Sequence, residues 1–125
     1  MQEPRNSSGP NRVLIVALGL VLLVTIGTSS VSSAALPTQI VAGPEAFTLN
    51  YLTKNPTVNK GGAVVFRNFD IQVHDVTSVT PRLFKSKLIG IGKSATVNGV
   101  ASLPRGRYAF KCSIHNNMRG TLTVK

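Results

Sequence analysis

Beyond residue 36 the chain alternates apolar and polar side chains in short runs that are separated by turn signals. Phe47, Leu49 and Tyr51 occupy every second position, and a second alternating run ends at Cys112. Two residues is the side-chain repeat of a strand. No segment beyond residue 36 carries the long 3.6-residue apolar repeat of a helix. The pattern therefore predicts an all-β fold, with seven or eight short strands in a β-sandwich.

The remaining strands are predicted from β-branched and aromatic runs between turns. They cover residues 63–66, 71–76, 94–100 and 121–124, whereas residues 82–93 are less regular. Residues 36–45 contain two prolines and a glycine and predict a linker. We therefore expect one domain over residues 46–125, and we expect it to be a monomer.

The N-terminal segment has the composition of an export signal. Arg5 and Arg12 precede an uncharged apolar run over residues 13–27, which as a helix would span about 22 Å against a hydrocarbon core of about 30 Å. Small residues follow, and residues 33–35 fit a cleavage site. Residues 1–35 therefore predict a signal peptide. An uncleaved membrane anchor over residues 13–31 is the alternative. Both predictions place the domain outside the cytoplasm, in the periplasm or at the cell surface.

The chain is strongly basic, with 14 Lys and Arg against 4 Asp and Glu, a net charge of +10. This surplus favours an acidic protein partner or an anionic membrane surface. Nucleic acid is disfavoured because the leader predicts export and the sequence has no dense block of Lys and Arg. The alternative is that the charge has no binding role and that the basic side chains keep a small domain soluble.

Cysteine, histidine and methionine, whose side chains can bind metals, are few in this chain, and their spacing is informative. The chain has one cysteine, Cys112, which cannot close an internal disulfide, and two histidines, His74 and His115. Apart from the initiator, its one methionine is Met118. Cys112, His115 and Met118 follow at intervals of three between two predicted strands, where a loop can turn all three side chains towards one point. His74 lies on another predicted strand.

These side chains suit copper, because thiolate and thioether are soft donors and imidazole binds both copper oxidation states. Two histidines and a cysteine in a plane, with a weak axial methionine, form the ligand set of an electron-transfer copper site. We therefore predict one copper ion, cycling between Cu(I) and Cu(II), held by His74, Cys112, His115 and Met118.

The same four residues have other interpretations. Each of them alone could be a core residue. Zinc is disfavoured because a thioether is a poor fourth ligand for it. A Cys–His nucleophile is disfavoured because about 90 residues of β-rich chain leave little room for a substrate cleft.

Two motifs resemble those of a known family. Residues 66–76 contain Asn-x-Asp-x-x-x-His, and residues 106–120 read Gly-x-Tyr-x-Phe-x-Cys-x-x-His-x-x-Met-x-Gly. In this order they resemble the small blue (type 1) copper proteins, the plastocyanin/azurin-like cupredoxins, and the short Cys-x-x-His-x-x-Met loop is similar to that of amicyanin. The resemblance implies an eight-stranded Greek-key sandwich with a mononuclear copper. It also implies that His74 is the buried ligand, that Cys112 makes the most covalent bond, and that His115 lies at the surface.

The sequence departs from the family pattern at two positions. Asp75 stands where the family often has Asn, and Asn116 stands where it often has Pro. The first change puts a carboxylate where an amide often braces the ligand loop, and the second predicts a more polar surface around His115. Neither change removes a ligand.

The resemblance implies a one-electron carrier between redox proteins and not an enzyme. From the leader and the basic charge we expect this carrier to be exported and to meet an acidic redox partner. An extracytoplasmic copper-binding or delivery module remains the alternative, since the same soft ligands hold Cu(I). A copper enzyme would need further histidines and domains. A metal-free interaction domain is the remaining class.

Overall fold

Two β-sheets make up the folded part of the chain in a computed structural model, which describes residues 27–30 and 34–125. Ala34–Lys125 form one compact unit. The predicted signal peptide or anchor falls mainly on residues outside the described ranges. Within the described residues, no helix has the length and apolar character to cross a membrane.

The elements follow one another as short strands with little helix. In chain order they are β1 (Thr38–Ala42), α1 (Ala46–Leu49), β2 (Thr57–Val58), β3 (Val64–Asn68), β4 (Thr77–Ser78), β5 (Ser94–Thr96), a 3-10 turn (Val100–Ser102), β6 (Gly106–Lys111) and β7 (Arg119–Val124). One sheet has the order β1-β3-β5 and the other β2-β7-β6-β4. The first pair of each sheet is parallel, and the remaining pairs are antiparallel. The predicted all-β architecture is therefore confirmed.

The core joins the two sheets through alternate side chains of their strands. Ile40 and Phe66 of the first sheet and Phe110 and Leu122 of the second are all fully buried. Tyr51 packs edge-on against Phe66 and Phe110, with ring centroids 6.2 and 5.3 Å apart. Each such aromatic or aliphatic side chain contributes about 1.5–3 kcal/mol through its burial, so this cluster is the main support of the fold.

The predicted linker over residues 36–45 differs from the structure, because it contains strand β1. Ile40 and Ala42 point into the core, and the strand pairs in parallel with β3, with Thr38 opposite Val64. Parallel partners lie far apart in sequence. The prolines and the glycine at the ends of this segment indicated a linker, although Thr38, Ile40 and Val41 between them are β-branched.

The strand predicted around Phe47 and Leu49 is wrong, since these residues lie in the short helix α1. Leu49 is largely exposed, whereas Tyr51 is buried. The backbone N–H groups of Glu45 and Phe47 donate to the Asp70 carboxylate, which turns the chain out of a strand. Tertiary contacts have overridden the local alternation here.

The regular strand predicted over residues 71–76 is also wrong, because no strand forms between β3 and β4. Only an isolated bridge between His74 and Ile89 forms there, and Ile71 and Val73 are exposed. The Asn68 side chain bonds to backbone groups that a ladder would otherwise use. The result is a fixed loop that carries His74.

Candidate metal centre

His74 lies in the loop after β3, and the side chain of Asn68 holds this loop in place. Asn68 accepts from the Asp70 N–H at 2.9 Å and donates to the carbonyl groups of Gln72 and Ile89 at 2.7 and 2.9 Å. His74 and Ile89 exchange both backbone hydrogen bonds, at 3.1 and 2.9 Å. His74 is fully buried. Both its backbone and its surroundings are therefore fixed by the fold.

The other three candidate ligands lie in the short loop between β6 and β7. The Cys112 N–H donates to the Met118 carbonyl at 3.0 Å, and the Met118 N–H donates to the His115 carbonyl at 3.1 Å. Cys112 and Met118 are fully buried, whereas His115 is partly exposed. The tight loop predicted from the spacing is present, with His115 at its surface side.

The structure brings His74, Cys112 and His115 together as a group able to hold a metal ion. Nδ1 of His74 lies 3.0 Å from Nδ1 of His115, and Sγ of Cys112 lies 3.9 and 3.5 Å from these two atoms. A point about 2.0 Å from all three atoms exists at the centre of this triangle, close to the roughly 2.0–2.3 Å of metal–imidazole and metal–thiolate bonds. The donors therefore fit one small soft or borderline ion.

Asp70 sets which nitrogen of His74 faces the other donors. Its Oδ2 lies 2.7 Å from Nε2 of His74, and we assign the proton to that nitrogen because an ionised carboxylate only accepts. Nδ1 is then left with a free lone pair, as a metal ligand requires. Burial would raise the pKa of Asp70, but hydrogen bonds from His74 and from the N–H groups of Phe47, Ile71 and Glu45 outweigh it and lower that pKa.

Burial also tunes the other two donors. It raises the pKa of the Cys112 thiol, against the opposing effect of backbone N–H groups around the sulfur. It lowers the pKa of His115, and the adjacent His74 ring lowers that pKa further because two neighbouring imidazoles resist being charged together. Near neutral pH the metal-free site therefore holds a thiol beside a neutral imidazole.

Asp75, the first departure from the family pattern, braces the ligand loop through its carboxylate. The Ser113 N–H and the Ser113 hydroxyl donate to its two oxygens at 2.7 Å each, and the Thr77 hydroxyl donates at 3.2 Å. Asp75 is fully buried. All three partners are groups able to donate, so the Asp75 carboxylate holds in place the residue that follows the candidate ligand Cys112.

Sequence reasoning missed the residues that support the ligands. Asp70 received no role, although its position four residues before His74 was a usable signal. The alternation predicts Tyr51 only as a strand residue, yet its hydroxyl donates to the Asp75 carbonyl. Burial raises the pKa of this hydroxyl, so it stays a donor. Phe47, whose ring centroid lies 6.4 Å from that of His115, was also missed.

Comparison with known proteins places the chain in a wider group. A family model described as the cupredoxin-like domain matches residues 14–124. No curated protein matches the sequence. The structure of a novel purple cupredoxin from Nitrosopumilus maritimus is similar, with a TM-score of 0.61 and 23% identity over 70% of this chain and 98% of that one. Amicyanin from Paracoccus versutus (Thiobacillus versutus) has a TM-score of 0.58 and 20% identity over 74% and 84% of the two chains. These likenesses confirm the sandwich fold.

Proposed function

The chain belongs to the cupredoxin family, and from that membership we propose that it carries single electrons through one copper ion held by His74, Cys112, His115 and Met118. The family resemblance noted in the sequence is thereby confirmed. Copper supplies one-electron chemistry when it is bound. The protein's own contribution is to hold the donors in one arrangement and to present one edge of the site to a partner.

The triangle of His74, Cys112 and His115 is the observation that carries this proposal. Its three donor atoms are already within bonding reach of one centre. The backbone hydrogen bonds of His74 and Cys112 hold them there. Thiolate and imidazole donors, with the thioether of Met118 in the same loop as Cys112, suit an ion that changes oxidation state, because soft and borderline ligands are combined. A fixed site changes little on electron transfer, which keeps the transfer fast.

His115 is the proposed point of electron entry and exit. Its ring is partly exposed, while His74 and Cys112 are fully buried. Ile114 on one side of it is about half exposed and Asn116 on the other side is exposed, so a partner would meet a mixed apolar and polar edge there.

An acidic redox protein is the proposed partner. Residues 37–125 carry a net charge of +9, and no lysine or arginine among the described residues forms a salt bridge with a carboxylate. Unpaired positive charge attracts an acidic surface and raises the association rate. We also propose that the leader exports the domain to the periplasm or the cell surface, either as a signal peptide or as an anchor that keeps it at an anionic membrane.

An absorption spectrum of the purified full-length protein after addition of Cu(II) tests the copper site. We expect an intense visible thiolate-to-copper band that mild reductant bleaches and reoxidation restores. Cys112→Ser should abolish the band, whereas Asn117→Ser, an exposed change in the same loop, should leave it intact. A protein that stays colourless and binds only Cu(I) would favour copper delivery instead. A protein that binds no copper would refute both functions.

A further inference from the structure

The segment over residues 45–51, which includes α1, is tied to the metal centre at three places. Two of its backbone N–H groups donate to Asp70, the partner of one ligand. Its tyrosine hydroxyl donates to the carbonyl of Asp75. Its asparagine side chain accepts from the N–H of Arg119, the residue after the fourth candidate ligand. The first two contacts support the His74 side of the site, and the third supports the far end of the ligand loop.

Asn50 makes this third contact from an unusual backbone conformation. Its φ is 137° and its ψ is 179°, a region in which residues other than glycine are rare. Holding such a conformation costs on the order of 1–3 kcal/mol, and it persists only where the surroundings enforce it. Here the side-chain oxygen of Asn50 accepts from the N–H of Arg119 at 2.9 Å and from that of Tyr51 at 2.7 Å.

Hydrogen bonds therefore hold both the carbonyl and the N–H of the peptide group between Met118 and Arg119. Its carbonyl accepts from the Cys112 N–H at 3.0 Å, which ties it to the cysteine ligand. Its N–H donates to Asn50, which ties it to the segment that supports His74. Met118 is fully buried between these anchors. A glycine at position 50 would adopt this backbone without strain, but it would lack the side-chain oxygen that contacts the loop.

We propose that Asn50 is a positioning residue of the metal centre, which fixes Met118 by holding the peptide plane that follows it. The role in copper binding rests on the proposed function. The fixing of the loop does not, because every contact that carries it lies within the protein. The two parts of the inference can therefore be measured separately.

The test compares three full-length variants. Asn50→Gly removes the acceptor and the backbone strain together, whereas Asn50→Asp keeps an acceptor oxygen. Arg82→Gly is the matched control, since Arg82 is an exposed residue with a positive φ of 64°. The rate of amide hydrogen exchange at Arg119 in the metal-free protein measures the contact between Asn50 and the loop. Competition with a colorimetric chelator measures the affinity for Cu(I), the ion that a soft thioether favours.

Loss of one net hydrogen bond corresponds to about a fivefold change in an equilibrium constant. We therefore expect Asn50→Gly to speed exchange at Arg119 by fivefold or more and to weaken Cu(I) binding about three- to tenfold. Its thermal midpoint should not fall, because the strain is relieved. Asn50→Asp and Arg82→Gly should stay within twofold of the wild type in both readouts.

Wild-type exchange at Arg119 in Asn50→Gly would overturn the inference, as would faster exchange with unchanged Cu(I) affinity. Equal loss of Cu(I) affinity in Arg82→Gly would also overturn it, because a general effect of glycine would then explain the result. A wild-type protein that binds no copper would instead refute the proposed function, and the exchange measurement would still decide whether Asn50 fixes the loop.

Discussion

Nε2 of His74 lies 2.7 Å from Oδ2 of Asp70, and both side chains are almost completely buried. The contact links the metal centre to the fold, because three backbone N–H groups donate to the same carboxylate. It also decides which nitrogen of His74 is left to bind a metal. Asp70 is therefore an anchor for the loop after β3 and the group that orients the candidate ligand His74.

Replacing Asp70 by Asn should weaken metal binding about 10- to 100-fold, in the range seen for partners of metal-bound histidines. An amide nitrogen facing Nε2 of His74 would drive the proton to Nδ1, where it opposes the metal. The metal-free protein should also lose about 2–4 kcal/mol of unfolding free energy, because buried donors lose a charged acceptor. Co(II) competition titrations and urea denaturation measure the two effects. Affinity within twofold of the wild type would contradict this role.

The stabilising effect of Asp70 should disappear in acid. Its pKa in the folded protein is lowered below the ordinary value of 3.8. A carboxyl group of this kind stabilises the fold fully above its unfolded-state pKa and loses that effect as the pH falls through its folded-state pKa. The difference in unfolding free energy between wild type and Asp70→Asn should therefore be constant from pH 5 to 7 and shrink below about pH 4. Denaturation curves at several pH values measure this, and a difference that does not shrink as the pH falls below 4 would contradict it.

The candidate metal ligands could be predicted from the sequence, whereas the residues that hold them in place could not. The thiol, imidazole and thioether groups at Cys112, His115 and Met118 indicate a metal through their types and local spacing, and the structure gathers Cys112 and His115 with His74. Alternation likewise predicted the pair β6 and β7, because those strands are consecutive.

What the sequence did not predict depends on contacts between distant residues. β1 is a strand because it pairs with β3. The segment with α1 is not a strand because Asp70, more than 20 residues away, binds its backbone. Asn50 has no local motif at all, since its significance lies in a bond to Arg119. Such contacts are set by the folded sheet arrangement and not by neighbouring residues.

Replacing Asp75 by Asn should favour the reduced state of the copper site. The buried carboxylate lies one hydrogen bond from the residue after Cys112 and stabilises the more positive Cu(II) form. Its neutral isostere should shift the ratio of Cu(I) to Cu(II) affinity about tenfold, which raises the one-electron potential by about 59 mV. Cyclic voltammetry measures this shift. Glu45→Gln removes the same charge from an exposed position and should change the potential far less. Equal shifts in both variants would contradict the prediction.

Replacing Gly120 by Ala should destabilise the fold without touching a metal ligand. A Cβ atom there would clash with the ring of Phe110 and with the carbonyl of Lys54. Overpacking of this kind costs about 1–3 kcal/mol, and a rigid backbone neighbour places it at the upper end. Urea denaturation of the metal-free protein measures it. Gly90→Ala is the control, because nothing lies within 4 Å of its added atom. Equal stability of the two variants would show that β7 can move away from Lys54.

Metal binding should release one proton near neutral pH, and that proton should come from Cys112. Burial raises the pKa of this thiol, and burial together with the electrostatic interaction with the adjacent His74 ring lowers the pKa of His115. The metal-free site therefore holds a thiol that must ionise and an imidazole that is already neutral. Affinity for Co(II), which does not oxidise the thiol, should rise about tenfold per pH unit between pH 7 and 8. Competition titrations across that range measure the slope. Cys112→Ser should lose most of the Co(II) affinity. In the wild type, a slope near zero would mean that the thiolate is already formed before the metal binds. A slope near two would mean that His115 is also protonated in the metal-free site.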